Sequence, residues 1–151
     1  MDTTGETDLA VASPLTSKPV RILLVDDSPV ERLAMGHYLR RAGFAVDEAD
    51  DGKSALAHLQ NREFDILLLD LQMPGLNGFD VLGYLQQHRR GLPVILMSGM
   101  PIDQIEHKML NLPKHELPTL FLKPIDLEQL VEMVHLRLSG ELPDLSVDES
   151  S

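Results

Sequence analysis

The sequence predicts a doubly wound α/β fold, in which a five-stranded parallel sheet carries helices on both faces. Short apolar runs alternate along the chain with longer segments of helical period. The run from Ile66 to Leu69 has no polar residue, which suits a central parallel strand that is covered on both sides. Alternating strands and helices imply parallel pairing through right-handed crossovers.

The first predicted strand is the run over residues 20–25, which is apolar apart from one basic side chain. Ser28 and Pro29 follow as the N-cap and first residue of a helix over 29–42, which Gly43 ends.

Three further elements fill the middle of the chain. Residues 44–49 read as a shorter and more polar strand, and residues 52–60 place apolar side chains at helical spacing. The buried strand over 66–69 comes next, followed by a glycine-rich turn. A third helix is marked by Val81, Leu82 and Leu85.

The last third of the domain repeats the alternation. Residues 93–97 form the fourth predicted strand, residues 102–112 a helix, residues 119–122 the fifth strand and residues 127–138 the last helix.

Most of the net charge of −11 lies at the two ends of the chain. Residues 1–17 carry three acidic side chains and residues 140–151 carry four, and neither segment contains Lys or Arg. We predict a flexible tail over 1–17, one folded domain over 18–139 and an acidic flexible tail over 140–151. The folded part then has a net charge of only −4, so a nucleic-acid-binding surface is not expected.

The chain contains no cysteine, which excludes disulfides, thiolate metal sites and cysteine nucleophiles. No apolar run approaches the roughly 20 residues that span a bilayer. The first residues also lack the basic start and apolar core of a signal peptide. We therefore expect a cytoplasmic protein that binds neither membrane nor nucleic acid.

Polar or charged side chains at the ends of four predicted strands are the candidate site residues. Asp26 and Asp27 follow the first strand, Asp70 the third, Ser98 the fourth and Lys123 the fifth. In a sheet of this class, ligands bind at the carboxyl ends of the strands, near the topological switch point. Carboxylates held a few ångströms apart repel one another unless a cation shares the site, and all-oxygen ligation suits Mg²⁺. The sequence therefore predicts a magnesium site at this edge.

Each of these residues taken alone also has an ordinary structural explanation. Asp27 or Ser28 could cap the first helix, Ser98 could be a turn residue, and a capping box begun by Asp126 could account for the end of the fifth strand. Asp70 is harder to explain in this way, because four apolar residues lead directly into it. The joint occurrence at four strand ends favours a functional site.

Four segments carry a family resemblance: Leu23 to Ser28 (LLVDDS), Leu68 to Gly78 (LLDLQMPGLNG), Met97 to Gly99 (MSG) and Phe121 to Pro124 (FLKP). On these segments the chain resembles a receiver domain of the two-component response-regulator family and is similar to the single-domain chemotaxis regulators. The resemblance covers about residues 20–139 and implies the flavodoxin-like strand order 2-1-3-4-5.

The resemblance implies that Asp70 is the nucleophile. It would accept a phosphoryl group from a phosphohistidine on a histidine kinase or a histidine phosphotransfer protein. Asp27, Asp70 and the backbone carbonyl of Gln72 would ligate Mg²⁺, and Asp26 would do so directly or through water. The metal would neutralise charge on the carboxylate and on the incoming phosphoryl oxygens.

The resemblance also implies roles for two residues on the later strands. Lys123 would pair with Asp70 at rest and with a phosphoryl oxygen afterwards, and the Lys123–Pro124 peptide bond would be cis. Ser98 would donate a hydrogen bond to another phosphoryl oxygen and move toward it on activation.

These expectations predict a phosphoacceptor that is not an enzyme and that dephosphorylates itself slowly at most. Phosphorylation would shift the population of a surface built from residues 102–112, 119–122 and 127–138, which would bind a downstream protein target. The tail after residue 139 is too short for an output domain, so we expect a receiver that acts alone. A homodimer is compatible with this prediction.

Two alternatives stay open. A pseudo-receiver would keep the fold as a binding module without being phosphorylated, although the five functional positions are all filled. The chain could also be a receiver cut from a hybrid histidine kinase. A haloacid-dehalogenase-type phosphatase is disfavoured, because Gln72 stands where that class has its acidic proton donor.

One position departs from the family pattern. Receivers generally place an aromatic residue three positions before the lysine, and this position is Leu120. The neighbouring Phe121 should point to the opposite face of the strand, because side chains alternate along a strand. The sequence therefore argues against switching through an aromatic side chain.

Overall fold

The computed structural model describes residues 18–73, 78–89, 91–99, 103–104 and 119–140. Its strands are β1 (Arg21–Val25), β2 (Ala45–Ala49), β3 (Ile66–Asp70), β4 (Val94–Ser98) and β5 (Thr119–Leu122). Its helices are α1 (Pro29–Arg41), α2 (Gly52–Asn61), α3 (Gly78–His88) and α4 (Leu127–Ser139).

The five strands form one parallel sheet in the order β2-β1-β3-β4-β5. The predicted fold class and strand order are therefore confirmed. The chain moves from β1 to β2 in one direction and from β3 to β4 and β5 in the other. The switch point consequently lies between β1 and β3, and sheets of this class bind their ligands at the carboxyl ends of the strands near such a point.

The helices begin and end near the predicted residues. Ser28 is the N-cap of α1 and accepts a hydrogen bond from the backbone N–H of Glu31 at 3.4 Å. Gly43, with φ of 104°, follows this helix in the left-handed region that favours glycine. Asp126 caps α4 by accepting from the N–H of Gln129 at 3.0 Å.

Several predictions fall on parts of the chain that the structure does not describe. The predicted helix over 102–112 lies outside the described residues, except for Asp103 and Gln104, which are helical. The predicted tail over 1–17 and the predicted tail over 140–151 also lie outside them, except for Gly140. Within the described ranges, no helix is long and apolar enough to cross a membrane.

Two hydrophobic clusters cover the two faces of the sheet. Helices α2 and α3 pack on one face, and α1 and α4 pack on the other. The run from Ile66 to Leu69 is fully buried and contributes alternate side chains to the two clusters. At the β5 edge, Leu120 packs with the first cluster and Phe121 with the second, so the predicted opposite orientation of these side chains is confirmed.

Candidate functional site

Backbone hydrogen bonds between neighbouring strands continue past the strand ends and hold the following residues at one edge of the sheet. The donors and acceptors are Asp26 N and Ala49 O (3.1 Å), Leu71 N and Met97 O (3.0 Å), and Lys123 N and Ser98 O (2.8 Å). The residues that leave the strands are therefore held in the sheet register.

Three aspartates meet at this edge. Carboxylate oxygens of Asp26, Asp27 and Asp70 all lie within 4.8 Å of one another. Asp26 and Asp70 are buried, with 0% and 1% of their surface exposed, whereas Asp27 is exposed. The trio therefore has a buried floor and one member that faces solvent.

Burial makes the two inner carboxyl groups harder to ionise. It raises the pKa of Asp26 to about 6, and the negative charge of Asp70 adds to this shift. The hydrogen bond of 2.8 Å from the N–H of Ser28 to Asp26 Oδ1 opposes it. Burial also raises the pKa of Asp70. The hydrogen bond of 2.9 Å from the N–H of Gln72 to Asp70 Oδ1 opposes this shift.

Lys123 brings a positive charge into the acidic edge. Its Nζ atom lies 3.1 Å from Asp70 Oδ2, 3.4 Å from Asp26 Oδ2 and 2.7 Å from Glu31 Oε1. Burial alone lowers the pKa of this ammonium, but the hydrogen bond to Glu31 and the charges of Asp70 and Asp26 outweigh burial and raise it. The Lys123–Pro124 peptide bond is cis, as the resemblance implies.

Ser98 lies on the neighbouring strand, one position beyond the residue that pairs with Asp70. It is fully buried, and its hydroxyl donates to Gln72 Oε1 at 3.4 Å. The same oxygen accepts a shorter bond of 2.9 Å from the N–H of Gly99. The Gln72 side chain therefore ties the end of β4 to the turn after β3.

Strand alternation explains which residues meet. Asp26 and Asp70 continue the set of side chains that faces α1 and α4, two positions after Leu24 and Leu68. Lys123 follows Phe121 on the same face and meets both carboxylates there.

Glu31 is a neighbour of the site that the sequence did not reveal. It lies in the first turn of α1 and makes the shortest of the three contacts with Lys123. Its pKa is lowered, chiefly through the hydrogen bond from Lys123. The spacing Ser28-Pro29-Val30-Glu31 is a sequence signal, because it matches a capping box.

The residues at this edge fit a hard divalent cation. The aspartates offer oxygen ligands within 4.8 Å, and two of them are buried where an uncompensated charge is unfavourable. Lys123 is one ammonium shared by three carboxylates, including that of Glu31. An oxygen-only donor set with excess negative charge is the kind of site that magnesium occupies in proteins.

Comparison with known proteins agrees with this arrangement. The family model of the response regulator receiver domain matches residues 22–135. The gliding motility regulatory protein of Myxococcus xanthus is 38% identical over 107 residues, which is 67% of this chain and 14% of that protein. The chain also spans 35% to 40% of the length of several curated transcriptional regulatory proteins that it matches.

Solved structures extend the likeness to the fold. A CheY-like receiver domain protein from Methanospirillum hungatei JF-1 has a TM-score of 0.74 at 24% identity, covering 82% of this chain and 97% of that one. The response regulator protein TrrA of Thermotoga maritima, solved in complex with Mg(2+)-BeF, has a TM-score of 0.65 at 28% identity, covering 77% and 96%. The chain therefore belongs to the response regulator receiver domain family of two-component systems.

Proposed function

We propose that this receiver is a phosphoacceptor in which Asp70 takes a phosphoryl group from a phosphohistidine. A carboxylate oxygen of Asp70 attacks phosphorus, the new O–P bond forms and the P–N bond breaks. The bonding electron pair stays on the imidazole nitrogen of the partner, which is a histidine kinase or a histidine phosphotransfer protein. The product is an aspartyl phosphate.

One observation carries this proposal. A buried carboxylate, Asp70, lies within 4.8 Å of two further carboxylates and 3.1 Å from the Lys123 ammonium, at the carboxyl edge of the sheet. This places a nucleophile beside groups that can accept a metal and beside a cation that can stabilise a transferred anion. Phosphoryl transfer depends mostly on such positioning and charge neutralisation.

The chain's own residues divide the remaining tasks. Asp26, Asp27, Asp70 and the backbone carbonyl of Gln72 would hold Mg²⁺, which supplies charge neutralisation for the carboxylate and the incoming phosphoryl oxygens. Lys123 would exchange its bond with Asp70 for a bond with the phosphoryl group. Ser98 would donate its hydroxyl to a second oxygen.

The phosphorylated protein would pass on the signal by binding a downstream protein. The responding surface would include β5, α4 and the predicted helix over 102–112, next to the strands that carry Ser98 and Lys123. The phosphoryl group would favour an active arrangement that the free protein already samples. The cytoplasmic location, the absence of enzymatic turnover and the possibility of a homodimer stay predictions.

The test is incubation of the full chain with acetyl phosphate and Mg²⁺, read by intact-protein mass spectrometry. We expect the mass gain of one phosphoryl group in the native protein and none in Asp70→Asn. The chain has no tryptophan, so the conformational readout is the amide NMR spectrum with Mg²⁺ and beryllofluoride.

Asp50→Asn is the control, because Asp50 is an exposed aspartate just after β2. It should be labelled like the native protein. The phosphoacceptor proposal fails if the native protein gains no mass and its spectrum does not change, and a pure binding module would then be the better interpretation. Full labelling of Asp70→Asn would instead identify a different acceptor.

A further inference from the structure

Glu31 lies on the solvent-exposed side of the site. Its side chain is 49% exposed, compared with 19% for Lys123 and 2% for Asp70. It nevertheless makes the shortest contact with the ammonium, at 2.7 Å. The lysine is therefore held between the buried floor of the site and a carboxylate on the rim.

The helix start explains why Glu31 can reach Lys123. In a capping box, the glutamate three positions after the N-cap returns its carboxylate to the N-cap N–H. Here the N–H of Ser28 instead donates to Asp26 Oδ1 at 2.8 Å, while Ser28 Oγ still accepts from the N–H of Glu31. Half of the box is formed, and the carboxylate of Glu31 accepts a hydrogen bond from Lys123 instead.

Lys123 has as many hydrogen-bond acceptors as it has N–H donors. An ammonium has three N–H donors, and the carboxylates of Asp26, Glu31 and Asp70 all accept from it. In the proposed phosphorylation, Lys123 exchanges its bond with Asp70 for a phosphoryl oxygen, and its bonds with the other two carboxylates oppose the accompanying shift of Nζ. Glu31 is the exposed partner, and it lies on a helix instead of at a strand end.

We propose that Glu31 is a positioning residue that holds Lys123 in its resting arrangement and thereby limits how readily the phosphorylated state forms. This inference rests on the phosphoacceptor function proposed above. Glu31 would act only through the lysine and would not contact the phosphoryl group. The contact also links the first turn of α1 to the state of the site.

The experiment measures beryllofluoride affinity, since this complex imitates the phosphoryl group and needs no partner. Glu31→Gln should bind it about three- to ten-fold more tightly in the presence of saturating Mg²⁺, because the ion pair that competes for Lys123 is weakened. Glu63→Gln is the matched control, since Glu63 is 97% exposed and its ion-pair partner is Arg89. This control should leave the affinity unchanged.

A double-mutant cycle separates an effect through Lys123 from a general charge effect. In a Lys123→Met background, the gain from Glu31→Gln should disappear. An equal gain in both backgrounds would overturn the proposal, and so would unchanged or weaker binding of Glu31→Gln in the native background. If native protein binds no beryllofluoride, the failure belongs to the phosphoacceptor function.

A second readout does not depend on ligand binding. NMR of the Lys123 side chain in the free protein should show changed Nζ and Cε signals in Glu31→Gln and native signals in Glu63→Gln. Unchanged Lys123 signals in Glu31→Gln would overturn the proposal, even if Lys123→Met binds beryllofluoride too weakly for the cycle.

Discussion

A Cβ atom placed on Gly78 would lie 2.6 Å from the backbone carbonyl oxygen of Asp70. It would also lie 2.8 Å from the Cα atom of Leu71, so both neighbours are backbone that cannot rotate away. The start of α3 therefore packs against the end of β3 without room for a side chain at Gly78.

Gly78→Ala should consequently lower the free energy of unfolding by about 1–3 kcal/mol, because the backbone must shift to admit the methyl group. Urea denaturation measures this change. Gly83→Ala is the matched control in the same helix, where a Cβ meets nothing within 4 Å. It should leave the stability unchanged or raise it by up to about 1 kcal/mol, since alanine favours helix. Equal effects at both positions would contradict the close packing.

Asp26→Asn should make the metal-free protein more stable at pH 7.5, by about 1–3 kcal/mol. The pKa of Asp26 is raised from 3.8 to about 6 in the folded protein, so the folded state binds more protons than the unfolded state between these values. The contribution of Asp26 to stability therefore falls as the pH rises through this window, and asparagine removes that loss.

Urea denaturation in EDTA at pH 4, 6 and 7.5 tests this prediction. The stability difference between Asp26→Asn and the native protein should grow with pH, whereas Asp50→Asn should follow the native profile. A difference that does not depend on pH would show that the carboxylate of Asp26 is not destabilised by its surroundings.

Lys123→Met should have the opposite effect at neutral pH. Removing the ammonium leaves Asp26 and Asp70 buried without their shared cation, so we expect a loss of about 2–4 kcal/mol at pH 7.5. The loss should be smaller at pH 5, because the raised pKa of Asp26 keeps more of this carboxyl group protonated there and so weakens the repulsion. Lys53→Met, at an exposed position on α2, controls for the substitution itself. An equal loss at both pH values would argue for lost packing of the lysine stem instead.

Gln72→Ala should accelerate amide hydrogen exchange at Gly99 by about two- to ten-fold, because this N–H loses its acceptor. Gln72→Glu keeps an acceptor oxygen and should preserve the protection. NMR-detected exchange at Gly99 distinguishes the two variants. Unchanged exchange in Gln72→Ala would mean that Gln72 does not hold the turn after β4.

The sheet could be predicted because the burial of its central strands is visible in short apolar runs of the sequence. A run such as Ile66 to Leu69 can bury all its apolar side chains only between two layers of helices. All four residues are fully buried. The acidic edge could be predicted for a related reason, since charged residues such as Asp26 and Asp70 directly follow such runs. Topology then brings the ends of parallel strands together without further information.

Glu31 could not be recognised in the same way. Its partner Lys123 is 92 residues away, and the local spacing from Ser28 already has a complete explanation as a capping box. Whether the carboxylate turns to Ser28 or to Lys123 depends on the competing bond from Ser28 to Asp26, which only the folded structure defines. The backbone carbonyl of Gln72 was predicted as a metal ligand, but its side-chain contacts with Ser98 and Gly99 could not be foreseen, because they join residues from two different turns.

The order in which the chain is synthesised gives the Lys123 contacts a further consequence. Lys123 leaves the ribosome 97 residues after Asp26 and 53 residues after Asp70, and the strand before it, β5, lies beside β4 at the edge of the described sheet. A nascent chain therefore contains all three aspartates before it contains their ammonium. The last strand completes the edge of the sheet, and the lysine that follows it supplies the positive charge that favours ionisation of the two buried carboxyl groups.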